Sequence, residues 1–270
     1  MQFCRQILGV QKTTTNVGVL LELGRTPLSL EAQKLSLKNW GRIKNKKGNI
    51  LVTKSQQNAC DQKLDWNETI ASLLSKYDLR NLLTEPKPNI GQIFLSKARD
   101  EYQQQALTQI ARPDSKLRTY ALLKSSVERE DYLVNIRNTR LRQTLTKFRL
   151  SNHKLMIERG RHLRPKLDIE ERICPVCQEG VEDETHFLVR CTFYEELRKP
   201  LLEHCVQVTP QFELYSEEEQ FVSIMTNPLM MGKASKFLEM AFDTRETHID
   251  VSTALSCVID KVIGLVGEGN

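Results

Sequence analysis

Cys174-Pro175-Val176-Cys177-Gln178-Glu179-Gly180-Val181-Glu182-Asp183-Glu184-Thr185-His186-Phe187-Leu188-Val189-Arg190-Cys191 is the stretch around which the rest of the chain has to be arranged. Two thiols separated by two residues can grip one ion across a tight turn, and Pro175 stiffens that turn. His186 and Cys191 lie a little over one helical turn apart, so a helix and its end can present both to the same point. Three thiolates and one imidazole complete a tetrahedral set with no open position, the pattern of one structural zinc ion rather than a catalytic one. Such binding is worth on the order of 10–16 kcal/mol at neutral pH. That is enough to organise residues 178–184, which have little core of their own. The acidic run Glu182-Asp183-Glu184 is expected to orient His186 through its second ring nitrogen. Two alternatives are three buried thiols beside a core histidine and a redox Cys-x-x-Cys, although redox chemistry needs no His-x4-Cys partner.

Outward from this stretch, helical signals dominate and the spacing predicts an all-α, multi-helix assembly around the small Cys3His element. Upstream, Leu141, Leu145 and Phe148 fall on one apolar stripe flanked by Arg140, Arg142, Lys147 and Arg149, an amphipathic helix within 137–150. Pro165 closes the basic run that follows it. Further back, Val17 to Leu23 ends at Gly24, a good helix-stop residue. Thr26-Pro27 opens a second helix with Leu28, Ala32, Leu35, Leu37 and Trp40 as its buried face. Ile50 to Thr53 is a weak strand signal, 53–64 reads as loop, and Ile70, Leu73, Leu74 and Tyr77 lie on a helix begun near Asp65 or Asn67. Glu85-Pro86-Lys87-Pro88 is a rigid break and the expected boundary of an N-terminal unit. A long helix follows from Ile90 to about Ala111, then a short one around Tyr120. Downstream, Phe221 to Met225, Ala234 to Phe242 and an apolar terminal stretch from Leu255 to Val266 read as helices. These signals divide the chain into 1–84, a basic 90–166, the metal element 167–200 and an acidic 201–270.

The 270 residues are 40% hydrophobic and carry seven cysteines, too sparse for a disulfide scaffold. No stretch approaches the roughly 20 apolar residues of a membrane span, and residues 1–9 do not read as a secretory signal. A nuclear or cytoplasmic protein, not secreted, is expected. The net charge of +5 hides a lopsided distribution. Residues 112–166 hold 15 Lys+Arg against 5 Asp+Glu, whereas 167–270 hold 8 against 20. A basic segment of this density attracts phosphate backbones through counterion release. The candidate phosphate contacts are Arg137, Arg140, Arg142, Lys147, Arg149, Arg159, Arg161 and Arg164.

There is no glycine-rich phosphate loop, no His-Glu-x-x-His and no Asp-Asp pair. Polymerase and nuclease chemistry needs clustered carboxylates to hold two Mg²⁺ ions, so an enzyme is not expected.

At three places the residues resemble a known family. Phe3-Cys4-Arg5-Gln6-Ile7-Leu8-Gly9-Val10 with Glu22-Leu23-Gly24-Arg25-Thr26-Pro27-Leu28, then Leu145 to His153 with Glu158-Arg159-Gly160-Arg161, and above all Cys-x2-Cys-x8-His-x4-Cys with the run Glu184 to Arg198, resemble the region downstream of the polymerase domain in non-LTR retrotransposon reverse transcriptases. The resemblance runs from about residue 3 to about 245. It implies zinc-ligand roles for Cys174, Cys177, His186 and Cys191 and engagement of element RNA or target DNA. The family's aromatic-x-Asp-Asp palm motif is not in this sequence, so its polymerase activity does not carry over.

The expected function is therefore non-catalytic binding of DNA or RNA by the zinc-containing C-terminal piece of a retrotransposon-type reverse transcriptase. The alternative is a protein-interaction or dimerisation module derived from such an element. In that case the acidic tail would neutralise the basic segment internally and residues 250–270 would mediate self-association.

Overall fold

The computed structural model describes residues 1–45, 51, 54, 55, 58 and 65–267, the side chains of 65 and 251–267 excepted. Of the predicted strand at 50–53 only Leu51 is described, and it is helical; most of the loop at 53–64 and, in the 250–270 self-association segment, the side chains of 251–270 lie outside the described residues. The described residues are helix and turn, with isolated bridges as their only β pairing, so the chain is all-α. No helix among them is long and apolar enough to cross a membrane.

Two compact units are present. One comprises 24–109 with 126–128, the other 1–23, 110–125 and everything from 129 onward.

In the 24–109 unit the helices follow α1 (Gln2–Leu8) and α2 (Asn16–Glu22) of the other unit in chain order. They are α3 (Leu28–Lys44), α4 (Asp65–Lys76), a 3-10 turn over Arg80–Leu83, and α5 (Ile90–Ile110). Leu30, Leu37, Trp40, Ile70, Leu74, Ile90 and Phe94 form one buried cluster, and the Tyr77 and Phe94 rings meet edge-on at 5.0 Å. The Pro86 and Pro88 break thus separates elements, not units, because α3 and α5 share a core across it. Their approach is close: a Cβ on Gly91 would sit 3.0 Å from the Lys34 carbonyl oxygen. This crossing also selects the buried face of α3. Leu28 and Leu35, expected inside, are 83% and 54% exposed, while Leu30, Leu37, Trp40 and Gly41 face inward. Pro27 is the N-cap rather than the first helical residue, its ψ of 135° still extended.

The larger unit continues with α6 (Arg118–Leu123), α7 (Tyr132–Asn135), α8 (Thr139–Arg149) and α9 (Met156–Arg159). After the metal element come α10 (Glu195–Val208), α11 (Glu217–Thr226) and α12 (Pro228–Gly267). Asn138 caps α8 by accepting from the Arg140 and Leu141 backbone N–H groups, which fixes the phase that buries Leu141, Leu145 and Phe148. Ser216 and Glu219 form a capping box at the start of α11. Pro228, with no N–H to leave unpaired, starts α12, which runs without interruption where the sequence spacing indicated two helices.

Phe148 from the basic segment, Phe187 from the metal element and Phe221 and Phe237 from the acidic segment belong to one buried cluster. The sequence divisions at 166 and 200 are therefore not domain boundaries. A segment as short as 167–200 has too little apolar surface to close a core by itself, so it borrows one.

Candidate metal centre and groove

Arg172 to Glu182 forms a minimal hairpin. Ile173 bridges Val181, the Cys174 N–H donates to the Gly180 carbonyl at 2.7 Å, and the Gln178 N–H donates to the Cys174 carbonyl at 3.0 Å. The tight reversal puts Gln178 at φ 61° and Gly180 at φ 151°; the latter is a region open to glycine. A π turn over His186–Arg190 follows, begun by the Asp183 carboxylate accepting from the His186 N–H at 2.7 Å. Arg198, reaching back from α10, donates to the Leu188 and Cys191 carbonyl oxygens, each at 2.8 Å.

These turns bring Cys174, Cys177, His186 and Cys191 together, with their donor atoms all within 4.8 Å of one another. The Cys177 sulfur lies 3.3 Å from His186 Nε2. A tetrahedron with metal–sulfur bonds of about 2.3 Å has sulfur–sulfur edges of about 3.8 Å and sulfur–nitrogen edges of about 3.6 Å. The four residues thus could hold a metal ion with little movement. In the donor set by itself, the Cys191 thiol donates to Cys174, which lowers the Cys174 thiol to about 3 and pushes that of Cys191 far above its ordinary value. Burial raises the Cys177 thiol. Three thiolates this close repel one another, and a divalent cation is the partner that would let all three ionise.

The acidic run acts differently from its expected role. Asp183 holds the backbone of His186, not its ring. Glu182 is buried and accepts two hydrogen bonds from Arg245 of α12, at 2.6 and 2.8 Å, and one from the Met156 N–H at 2.6 Å. Glu184, also buried, takes Ser151 Oγ at 2.9 Å, His153 Nε2 at 3.1 Å and Arg118 Nη2 at 2.8 Å. Burial works to raise the Glu184 carboxyl, but His153 and Arg118 outweigh it and hold it at about 2.

On the same unit, an open groove of about 950 Å³ runs between α8, α9 and α12. Of the eight predicted phosphate contacts, Arg140, Lys147 and Arg159 line it. Lys116, Lys154 and His162, which lie outside the helix pattern read from sequence, line it too. Arg137 and Arg164 are exposed elsewhere. Arg142 is turned onto its own helix start, donating to the Ile136 carbonyl at 2.9 Å, and Arg161 pairs with Glu158 at 3.3 Å.

Arg149 corrects the sequence reading. Its side chain is 0% exposed and pairs with the equally buried Glu22 at 2.8 Å. It also donates to Glu130 at 2.7 Å and to the Met225 carbonyl, and it lies over the Tyr120 and Tyr132 rings. No face of the guanidinium is left for a phosphate. The lone acidic residue of α2, Glu22 within Asn16–Glu22, was the available signal for such a partner.

No protein-family model, curated protein or solved structure matches the chain.

Proposed function

We propose that the protein is a non-catalytic nucleic-acid-binding module whose larger unit is organised by one structural zinc ion at Cys174, Cys177, His186 and Cys191. The ion is assigned as zinc because three thiolates and an imidazole are its preferred donors, and as structural because four protein ligands leave no position for substrate or water. The observation that carries the binding reading is the groove, where Lys116, Arg140, Lys147, Lys154 and Arg159 converge on one opening. The resemblance of 145–161 and 174–198 to the post-polymerase region of non-LTR retrotransposon reverse transcriptases supports the same reading.

In this reading Lys147 from α8 and Arg159 from α9 contact successive phosphates along one wall, with Lys116 beside them. Arg137 and Arg164 extend the contact outside the groove. Five neutralised phosphates predict a slope of about −3.5 in log affinity against log salt for single strands. Fluorescence anisotropy with short single-stranded RNA and DNA oligonucleotides across a salt series tests it. A steep slope that flattens in Lys147→Ala/Arg159→Ala supports the reading; absent or salt-insensitive binding overturns it.

A second reading is favoured by one specific observation. Arg140 pairs with Glu239 and Asp243, and Lys154 with Glu246, so the acidic C-terminal helix meets the basic segment. If that neutralisation were complete, the module would bind protein rather than nucleic acid. Loss of self-association on deleting 250–270, with no oligonucleotide bound by either form, would favour it.

A further inference from the structure

The groove has an acidic wall. Glu239, Asp243, Glu246 and Asp250 all line it. They recur along α12 at intervals of four, three and four residues, which places them on one face of the helix. The stripe covers about 16 Å of helix axis.

Its position is set by other residues of α12. Arg245 is locked to buried Glu182, and Phe242 stacks on Phe187 with ring centroids 4.6 Å apart. The pairs made by the stripe are of another kind. Asp243 lies 3.0 Å from Arg140 with the two side chains 65% and 68% exposed, and Glu246 lies 2.6 Å from Lys154 with 55% and 78% exposed. Ion pairs this exposed are weak and screened, so they do little to hold α12. A rigid helix nevertheless presents carboxylates to the cations that a phosphate chain would need.

We infer that the acidic stripe of α12 is a built-in competitor for the nucleic-acid backbone, occupying Arg140 and Lys154 and holding down the affinity of the groove. The inference rests on the nucleic-acid reading above. An entering strand must displace Glu239 and Asp243 from Arg140 and Glu246 from Lys154, and the remaining carboxylates repel its phosphates. The stripe therefore lowers affinity and reduces the number of phosphates neutralised, which flattens the salt dependence.

The test uses the full chain carrying Glu239→Gln, Asp243→Asn and Glu246→Gln together, titrated with a short fluorescent single-stranded oligonucleotide over a salt series. Circular dichroism melting checks that the variant is folded. Freeing two cations is expected to tighten binding about tenfold at low salt and to steepen the slope by about 1.4. The control is Glu203→Gln, Glu213→Gln and Glu218→Gln, three exposed acids away from the groove that give the same change in net charge. An equal gain in the control assigns the effect to net charge and overturns the competitor. A wild-type protein that binds, with no gain in the groove variant, overturns the competitor and leaves the nucleic-acid reading standing. Absence of binding by all three forms overturns both.

Discussion

Replacing Arg149 with methionine separates a buried structural cation from a phosphate contact. The change removes the Nε donor to Glu22 at 2.8 Å and the Nη2 donor to Glu130 at 2.7 Å. It leaves Glu22, 0% exposed, with only the Tyr120 and Tyr132 hydroxyls, at 2.7 and 2.5 Å. Two neutral donors do not replace a cation, and an uncompensated buried charge costs about 3–5 kcal/mol. At about 2–4 °C per kcal/mol for a unit of this size, the melting midpoint should fall by roughly 6–20 °C. Arg149→Lys, which keeps the charge but loses the fork, should fall between the two. The double variant Glu22→Leu/Arg149→Met should recover most of the loss, because both charges leave the interior together. Urea unfolding followed by far-ultraviolet circular dichroism measures all four proteins. The reasoning is refuted if Arg149→Met stays within about 1 kcal/mol of wild type while losing oligonucleotide affinity, since that is how a surface phosphate contact behaves.

Native mass spectrometry should find one zinc ion on the wild-type protein and none on His186→Ala or Cys177→Ala; a wild-type protein that folds without metal would sink the zinc assignment. Arg198→Ala should weaken metal binding about 10–100-fold without touching a ligand, because the Leu188 and Cys191 carbonyls lose their donor; an unchanged affinity in competition with a chelator would deny it that role. Glu184→Gln should change the acid limb of stability. The Glu184 carboxyl is depressed in the folded state, from 4.5 to about 2, so its contribution is present above pH 4.5 and is lost as the pH falls towards 2. That interval corresponds to about 3 kcal/mol. Protonation of the metal ligands affects both proteins alike, so the wild-type advantage over Glu184→Gln should shrink across this window. An advantage that stays constant with pH would count against the network around Glu184.

The parts of this fold that are legible in sequence have local causes. The Cys174–Cys191 spacing, the Asn138 cap with the Leu141, Leu145 and Phe148 stripe, and the proline and glycine stops all act within a few residues of themselves. What was not legible depends on partners distant in the chain. A count of Lys and Arg treats Arg149 and Lys147 alike. Whether either cation reaches solvent depends on Glu22, more than a hundred residues away, and on which side of α8 the core lies. Leu28 and Leu35 fit an apolar face as well as Leu30 and Leu37 do, until the close crossing at Gly91 picks one face. The unit bounds differ from the composition shifts for a related reason: changes in composition mark changes in surface charge, whereas the units follow shared packing.

The metal element and the groove are joined by three consecutive acids, each with a different job. Glu182 fixes Arg245 and with it the phase of α12. Asp183 starts the turn that presents His186. Glu184 gathers Ser151 and His153, from the link between α8 and α9, and Arg118 from α6. Both walls of the groove, α12 on one side and α8 with α9 on the other, are thus anchored to residues between the second and third metal ligands. In the zinc reading proposed above, closing the hairpin around the ion would fix where Glu182 and Glu184 stand, and so the distance between the acidic and basic walls. Four ligands with no open position would suit that task, since it would require of the ion only that its donor geometry not change.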